Sequence, residues 1–545
     1  MNPSPLSLNI KLFMRVFSSF VLPSLFCFQA LGQSQADITI QSVRERLRKL
    51  KAQQDENQSG RTTADANTSA EETGVTQSSA EESEVEKLSP AVSSDRPSDA
   101  LFDTLPDTPP IISAPRVKPG RSAGTEVSAE PLSGVTIKSP NQNLNLETVE
   151  SRDSEHFFGD WHGRRRKFEA RGLDLNVVYK GEGNRNLSGG LRQRTVYLGS
   201  LDVKLSLDGE KAWKRKGLSV YVNGMADHGA DNDNSPSKNV GDIQGTSNIE
   251  RTVNSVKLYE ASVQQNFKDD RISFLFGLHA LGSEFYMTEA STQFLNKSFG
   301  VGHELSQTGV NGPSLAPTTA LALRAKLALN GRFDFLIAAF GAQSGDPAHP
   351  SASVIRGQPS DGLLWIGELM AKDSIEIQGI RAGKISLGVW QYSRTFDHLN
   401  ETTIDSTGAT VPTRAGNSGF YGLWNQSLNK QRSFFLRAGW ASAAVNQTQS
   451  TLAFGMVKRG PHKGRPKDSV GFGLTRASLG APAQDVRART GLGTSAAEVT
   501  TELYYRFEVK PGLAIQPDLQ WVDHPSQNPP TDNAVVASIR AEINF

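Results

Sequence analysis

Residues 534–545, with the sequence AVVASIRAEINF, end the chain and alternate between apolar and polar side chains. Side chains along a strand point to opposite sides with a period of two, so this segment has two different faces. One face carries Val535, Ala537, Ile539, Ala541, Ile543 and Phe545, and the other carries Val536, Ser538, Arg540, Glu542 and Asn544. In an outer-membrane barrel the apolar face contacts lipid and the polar face lines a wet lumen. The segment therefore predicts the last strand of a transmembrane β-barrel.

Charge and composition exclude several classes of protein. The 545 residues include 58 Lys and Arg against 57 Asp and Glu, so no excess of positive charge favours nucleic acid as a partner. A mean hydropathy of −0.40 and a hydrophobic content of 37% argue against a helical membrane protein.

The first 32 residues have the pattern of a secretory signal peptide. An apolar run at 16–31 follows Lys11 and Arg15, and small residues precede a cleavage site near Gln33. A membrane anchor is the alternative, but the run is short for a span and contains Pro23. The sole cysteine, Cys27, lies in this run, so the mature chain is predicted to have no disulfide and no thiolate chemistry.

Three further segments follow the signal peptide. Residues 37–56 have apolar side chains at helical spacing among basic ones, which predicts a short basic helix and a possible coiled coil. Residues 57–150 are rich in Ser, Thr, Glu, Asp and Pro, and bury too little apolar surface to fold, which predicts a disordered linker. Residues 156–545 form the predicted barrel domain.

Alternating runs recur through this domain and predict an all-β, antiparallel fold. Examples are 173–183, 195–208, 320–330 and 501–509, and about sixteen such strands can be counted, with fourteen or eighteen left open. Short polar breaks at 268–270, 330–331, 429–431 and 511–512 predict hairpin turns on one rim. The long polar links 226–254 and 282–318 predict extracellular loops on the other rim.

Several stretches resemble the carbohydrate-selective porins of Gram-negative bacteria, the OprB family. They occur in order as Gly159-Asp160-Trp161, Leu187-Ser188-Gly189-Gly190, TVYLG at 195–199, VGDIQGTSNIE at 240–250, Ser283-Glu284-Phe285, NKSFG at 296–300 and PDLQW at 517–521. The resemblance covers residues 156–545. It implies a 16-stranded barrel in the outer membrane that admits mono- or small oligosaccharides by passive diffusion. One departure is His162, which stands where the family usually has glycine.

Charged residues of the predicted strands are the candidates for lining the pore. The candidates are Arg192, Arg194, Asp202, Lys204, Glu260, Arg324, Lys326, Arg506, Arg540 and Glu542. Arg192 and Arg194 are included because they lie just before the second strand, in a segment that resembles the family. The other eight are included because strand parity places them on the inner face. Glu502 has the same parity. These charges either grip sugar hydroxyls at a constriction or neutralise one another inside a wide barrel. Four aromatic residues either stack on sugars or belong to the interfacial girdle, namely Trp161, Tyr259, Phe285 and Trp521.

The sequence contains no HExxH motif, no GxSxG nucleophile elbow and no P-loop, so an enzyme such as a barrel lipase is not predicted. The acidic stretch 227–234 lacks the spacing of an EF-hand and predicts a solvated loop rather than a calcium site. We expect no cofactor and no metal. The expected partners are outer-membrane lipid and small sugars.

A second hypothesis is an envelope-tethering or assembly protein. Its barrel would be the anchor, and residues 37–150 would bind a periplasmic or peptidoglycan partner, or associate with one another. In either case the protein is expected in the outer membrane with a periplasmic N-terminal extension. The parity of the last strand also predicts that Ile539→Arg is far more destabilising than Ser538→Arg, because Ser538 would face water.

Overall fold

The computed structural model describes residues 156–545 apart from 232, 252, 372–375, 378–379, 382, 402, 406–407 and 492. The predicted signal peptide at 1–32, basic helix at 37–56 and linker at 57–150 lie outside the described residues.

Sixteen antiparallel strands close into a barrel in which each strand pairs with its neighbours along the chain. The barrel strands are β1 (Leu173–Ser188), β2 (Thr195–Asp208), β3 (Leu218–His228), β4 (Ser255–Phe267), β5 (Ile272–His279), β6 (Ala320–Ala328), β7 (Phe333–Gly341), β8 (Leu363–Ala371), β11 (Lys384–Asp397), β14 (Thr413–Ser427), β15 (Arg432–Ala441), β16 (Thr448–Arg459), β17 (Ser469–Leu479), β18 (Ala497–Lys510), β19 (Leu513–Asp523) and β20 (Ala534–Asn544). Two small ribbons lie in the links after β8 and β11, formed by β9 (Glu376–Ile377) with β10 (Ile380–Arg381), and by β12 (Thr403–Asp405) with β13 (Gly408–Thr410). The prediction of sixteen antiparallel strands is confirmed.

The first and last strands close the barrel. β1 and β20 pair in antiparallel register, with Tyr179 opposite Ile543 and Gly183 opposite Ile539. Closure matters because an open sheet edge would leave backbone N–H and C=O groups without partners in lipid.

The strands have an apolar outer face and a polar inner face. On β20 the side chain of Ile539 is 61% exposed, whereas Val536 and Arg540 are buried. Many other outward-facing side chains are also large and apolar, including Phe276, Leu323, Leu387, Val389, Phe420, Leu503 and Trp521. Water would disfavour so much exposed apolar surface, and hydrocarbon accepts it.

Ser538 differs from the prediction made for it. It faces the inside of the barrel, but it is buried and its hydroxyl donates a 2.6 Å hydrogen bond to Asn184 Oδ1. The inner wall at this height is packed rather than open to water. The substitution Ser538→Arg is therefore expected to destabilise the fold, and not to have the mild effect that the sequence predicted.

The two rims differ in the length of their connections, as predicted. Turns of a few residues join β4 to β5, β6 to β7, β14 to β15 and β18 to β19, all on the rim where the barrel domain begins and the chain ends. We call this rim the short-turn rim. The α-helices among the described residues are α1 (Arg164–Ala170), α2 (Gly209–Trp213), α3 (Pro236–Val240), α4 (His303–Ser306) and α5 (Ala481–Arg489). None of the helices in the described part of the chain is long and apolar enough to cross a bilayer.

The segment before β1 is attached to the end of the chain. Arg165 in α1 donates hydrogen bonds to the carbonyl oxygens of Leu175 and Phe545, at 2.9 and 2.7 Å. His162 has a φ of +58°, in the left-handed region that favours glycine. This backbone conformation accounts for the glycine that the family usually has at this position.

The two longest links fold into the barrel and are not external loops, which corrects the prediction for 226–254 and 282–318. In the link between β5 and β6, the backbone N–H of Tyr286 donates a hydrogen bond to the Glu368 carboxylate of β8. The backbone N–H of Leu295 donates to the Glu502 carboxylate of β18. β18 lies far from β5 and β6 around the sheet. A link that contacts both β8 and β18 must therefore cross the lumen.

Candidate pore constriction

The link between β5 and β6, residues 280–319, is the main obstruction of the lumen, and we call it the inward loop. It packs apolar side chains against the inner wall in two clusters. One joins Leu281, Phe285 and Leu305 to Phe340, Leu364, Trp390 and Tyr392, and the other joins Phe294 and Phe299 to Phe435 and Tyr504. Burying a side chain of this size contributes about 1.5–3 kcal/mol, so the loop has its own small core within the barrel.

Wall carboxylates bind the backbone of the inward loop. Glu502 accepts the N–H groups of Leu295 and Asn296 at 2.6 and 3.0 Å, and Glu368 accepts that of Tyr286 at 3.0 Å. An irregular loop cannot satisfy its own N–H groups, and each one left buried without a partner is costly. The wall glutamates therefore act as acceptors that determine where the loop lies.

The link between β3 and β4, residues 229–254, is held in the same way, and we call it the second loop. Glu498 of β18 accepts the N–H groups of Ile243 and Gln244 at 3.0–3.1 Å. The Gln520 side chain of β19 donates to the carbonyl of Thr246 at 2.9 Å. The second loop thus reaches the same part of the wall as the inward loop.

Arg437 of β15 binds the middle of the inward loop. It is only 2% exposed, and its guanidinium donates to the carbonyls of Phe299 and Tyr286 and to the hydroxyl of Ser291. Two residues along β15, Gly439 leaves room for the loop, since an added Cβ would overlap the Glu304 carboxylate and the Tyr286 hydroxyl. Arg437 and the space at Gly439 therefore fix the position of the middle of the loop on β15.

A cluster of charges fixes the start of the inward loop. His279 ends β5 and lies between two carboxylates, with Nδ1 3.1 Å from Glu260 and Nε2 3.0 Å from Glu284. Arg324 Nε donates to Glu284 at 2.7 Å, and the same guanidinium donates to Gln264 at 2.6 Å. Since Glu284 belongs to the loop and the other four residues belong to strands, the cluster ties the loop to β4, β5 and β6.

Glu284 makes the attachment sensitive to acid. Burial by itself would raise the pKa of its carboxyl group, but the hydrogen bond from His279 and the charge and hydrogen bond of Arg324 outweigh burial and lower the pKa to about 2. A carboxyl group with a lowered pKa stabilises the folded state at pH values above its unfolded value of about 4.5. This stabilisation is lost as the pH falls from about 4.5 to about 2.

We therefore expect the thermal stability of the purified protein to fall between pH 4.5 and pH 2, and to fall less in Glu284→Gln. Heat-induced loss of the compact barrel, followed by electrophoretic mobility at each pH, measures this. Glu289→Gln is the matched control, because Glu289 lies in the same loop with an exposed side chain. Identical acid profiles for Glu284→Gln and the unmodified chain would contradict the assignment.

Most of the predicted pore residues on strands are engaged in internal contacts. Asp202, Glu260, Arg324 and Arg540 are buried. Asp202 accepts from Asn223 at 3.1 Å, and Arg540 binds Glu182 as well as Asn248 of the second loop. Glu502 is buried beneath the inward loop. Four of these residues position the loops, namely Glu260, Arg324, Arg540 and Glu502, whereas Asp202 joins β2 to β3.

The other candidates have more open surroundings. Arg506 and Glu542 form a 2.9 Å ion pair that is only partly buried. Lys204 and Lys326 are half-buried, and Lys326 Nζ lies 3.8 Å from Asp334. Arg192 and Arg194 are exposed in the link between β1 and β2, where Arg192 donates to the carbonyl of Asp233 at 2.7 Å. The structure does not bring these two arginines together with the strand residues.

The aromatic and acidic candidates have other roles. Phe285 is buried edge-on against Phe340, and Trp521 is exposed on the outer face. The acidic stretch 227–234 was predicted to be a solvated loop, but Asp227 is buried and its carboxylate lies 3.7 Å from the Arg251 guanidinium. No group of three or more His, Cys, Asp or Glu among residues the structure describes is placed to hold a metal ion.

Sequence reasoning missed Glu182, Glu368, Arg437 and Glu498, although all four lie on strands. Arg437 had a usable signal, since it is a lone cation within the apolar run SFFLRAGW at 433–440. A single buried charge in such a run needs a partner, which here is supplied by the loop carbonyls.

Comparisons with known proteins agree with this architecture. A family model described as carbohydrate-selective porin, OprB family, matches residues 192–545. Porin B of Pseudomonas aeruginosa is 23% identical over 430 residues, which cover 72% of this chain and 92% of that protein. A putative porin QuiX of Acinetobacter baylyi is 21% identical over 447 residues, covering 72% of this chain and 94% of that protein.

A solved structure supports the fold. The high-pH structure of OprB from Pseudomonas putida superimposes with a TM-score of 0.63 at 21% identity, covering 73% of this chain and all of that chain. The family match spans well over half of the sequence, and the strands, their number and their closure are those of a porin. The chain therefore belongs to the OprB family of carbohydrate-selective porins, outer-membrane barrels through which carbohydrates diffuse passively.

Proposed function

We propose that the inward loop and the second loop together form the constriction that selects among small sugars. The observation that carries this proposal is their meeting inside the barrel. Lys297 of the inward loop lies against Gly245 of the second loop, and its Nζ is 3.6 Å from Glu250 Oε2. The backbone N–H of Lys297 also donates to the Gly245 carbonyl at 2.9 Å.

Lys297 can bind a sugar, whereas Glu250 anchors the second loop. The Lys297 ammonium group can donate hydrogen bonds to sugar hydroxyl groups, but the Glu250 carboxylate is only 4% exposed and already accepts from the N–H and the hydroxyl of Ser237. The Lys297 side chain is 42% exposed and the pair is long, so its bond to Glu250 is weak and leaves donors available to a solute. The charged side chains of the wall beneath the loops are not available to a solute in this way, because internal hydrogen bonds and ion pairs occupy them.

The more open candidates complete the proposed path. Arg506, Glu542, Lys204 and Lys326 would line the lumen towards the short-turn rim. Arg192 and Arg194 would contact solutes at the opposite mouth. Solutes cross by diffusion, and the channel needs no cofactor and performs no chemical step.

Swelling of liposomes that contain the porin tests this proposal, with a pentose, a hexose, a disaccharide and a trisaccharide as solutes. We expect Lys297→Ala to raise the rate for the disaccharide relative to the hexose, because the side chain narrows the constriction. Lys238→Ala is the matched control, since Lys238 is an exposed lysine of α3 in the second loop. An unchanged size profile in Lys297→Ala would reject the constriction, and swelling no faster than in empty liposomes would reject the channel.

The N-terminal extension stays a prediction. Its periplasmic location is supported by the entry of the chain at the short-turn rim, where the Phe157 N–H donates to the Asn544 carbonyl at 2.7 Å. Short turns face the periplasm in outer-membrane barrels. A periplasmic or peptidoglycan partner for residues 37–150 also stays a prediction.

A further inference from the structure

A concentrated group of exposed cations lies on one side of the short-turn rim. Residues 164–171 contain five Arg or Lys and one Glu, and residues 209–216 contain four Arg or Lys and one Glu. Eight of these nine cations are exposed, and two of the eight, Arg166 and Lys216, pair with carboxylates. The other six lie on α1, on α2 or directly after them, and we call them the basic patch: Arg164, Lys167, Arg171, Lys211, Lys214 and Arg215.

The two segments are neighbours in space. The backbone N–H of Asp208 donates to the Gly172 carbonyl at 2.7 Å, and a Cβ added to Gly172 would lie 2.9 Å from the Lys211 Cβ. The cations of α1 and α2 therefore form one continuous surface. Like charges on one exposed surface repel one another, and an anionic ligand would relieve this repulsion.

Nearby carboxylates do not neutralise the patch. Asp160 binds Arg166, Asp269 binds Lys216, and the Asp208 carboxylate caps α2 by accepting the N–H groups of Glu210 and Lys211. Within the described part of the chain, none of the six patch cations forms an ion pair. Their charge is available to a ligand from outside the barrel domain.

Exposed aromatic side chains accompany the cations. Phe158 is 60% exposed, Trp213 is 55% exposed and Phe168 also faces outward. The Phe158 ring lies 5.6 Å from that of Phe545, whose position continues the lipid-facing side of β20. Aromatic rings at the end of an apolar wall mark the level of the lipid headgroups.

We propose that the basic patch binds the phosphate headgroups of acidic phospholipids in the leaflet that surrounds the short-turn rim. Clustered basic side chains next to a membrane attract anionic lipid, and interfacial aromatic rings place them at headgroup depth. The patch lies on only one side of the rim, so it would gather acidic lipid next to β1 and β2, beside the seam where the barrel closes.

Titration of the purified full-length porin in nonionic detergent tests this inference. Native mass spectrometry would count bound phosphatidylglycerol and, separately, bound phosphatidylcholine at low and at high ammonium acetate. The patch variant combines Lys167→Gln, Arg171→Gln, Lys211→Gln and Lys214→Gln. The control variant combines Arg332→Gln, Lys430→Gln, Lys463→Gln and Lys467→Gln, which removes four exposed cations from other turns of the same rim.

We expect the unmodified porin to prefer phosphatidylglycerol, and high salt to abolish the preference because it screens exposed charges. The patch variant should bind phosphatidylglycerol at least roughly tenfold more weakly, since each basic side chain at an acidic surface contributes up to about a fivefold factor. The control variant should keep the preference. Sugar permeation should be unchanged in both variants.

Three results would overturn the proposal. Equal binding of the two lipids by the unmodified porin would show that charge is not recognised, and this measurement needs no variant to fold. Equal losses in both variants would show a general attraction of the rim rather than a site. Undiminished phosphatidylglycerol binding by the patch variant would show that the lipid binds elsewhere. The patch would then have a different occupant, such as the segment at 71–86 of the same chain, which carries six glutamates.

Discussion

Replacing Arg437 by methionine should release the inward loop and widen the channel. Methionine fills much of the space of arginine but cannot donate to the carbonyls of Phe299 and Tyr286. Each hydrogen bond from a charged donor contributes about 1.5–3 kcal/mol, and a buried carbonyl left without a donor is penalised further. The loop should therefore leave the wall at β15 while the strands stay closed.

Conductance across planar lipid bilayers measures this effect. We expect Arg437→Met to raise the single-channel conductance, to increase its fluctuation, and to admit larger sugars in liposome swelling. Arg432→Met is the matched control, because Arg432 lies on the same strand but is exposed at the short-turn rim. A normal conductance in Arg437→Met would mean that the apolar clusters hold the loop without the cation.

The second large effect is expected on the outer wall. Ile539→Arg places a cation on the lipid-facing side in the middle of β20, which costs roughly 2–4 kcal/mol near the bilayer midplane. Ile543→Arg makes the same change on the same face near the end of the strand, where the cost falls to about 0–1 kcal/mol. Strand, face and substitution are matched, so depth is the only variable.

Reversible unfolding by denaturant in lipid vesicles gives the free energies of unfolding for the two variants. Equal destabilisation would show that the apolar face of β20 does not cross hydrocarbon. Loss of folding in both variants could reflect failed assembly. Ile539→Leu separates the two explanations, because it keeps the face apolar and should remain close to the unmodified chain.

Much of the wall could be predicted from local sequence. The alternation in β2 and β20 gives their bounds to within a residue, because the period of two is a property of each strand by itself. The polar or apolar character of the two faces follows from the same period. Turn residues between closely spaced strands likewise identify the short-turn rim.

The candidate site could be predicted only in part, as the fates of Arg324 and Lys297 illustrate. Parity placed Arg324 on the inner face, but it is buried and donates to Glu284, Ser273 and Gln264, which makes it a positioning group rather than a solute contact. Lys297 lies in a loop without periodicity, so nothing local indicated that it enters the lumen. Its motif NKSFG resembles the OprB family, but the motif alone does not indicate where in the barrel it lies.

The sequence by itself determined a closed barrel with lipid outside and polar groups inside, because strand periodicity and the chemistry of the bilayer leave one arrangement for such segments. Only the tertiary structure decided how open the lumen is. The inward loop contacts Glu368, Arg437 and Glu502, which follow it by roughly 80 to 200 residues along the chain. Contacts at such separations arise from the closure of the sheet, and local sequence patterns carry no information about them.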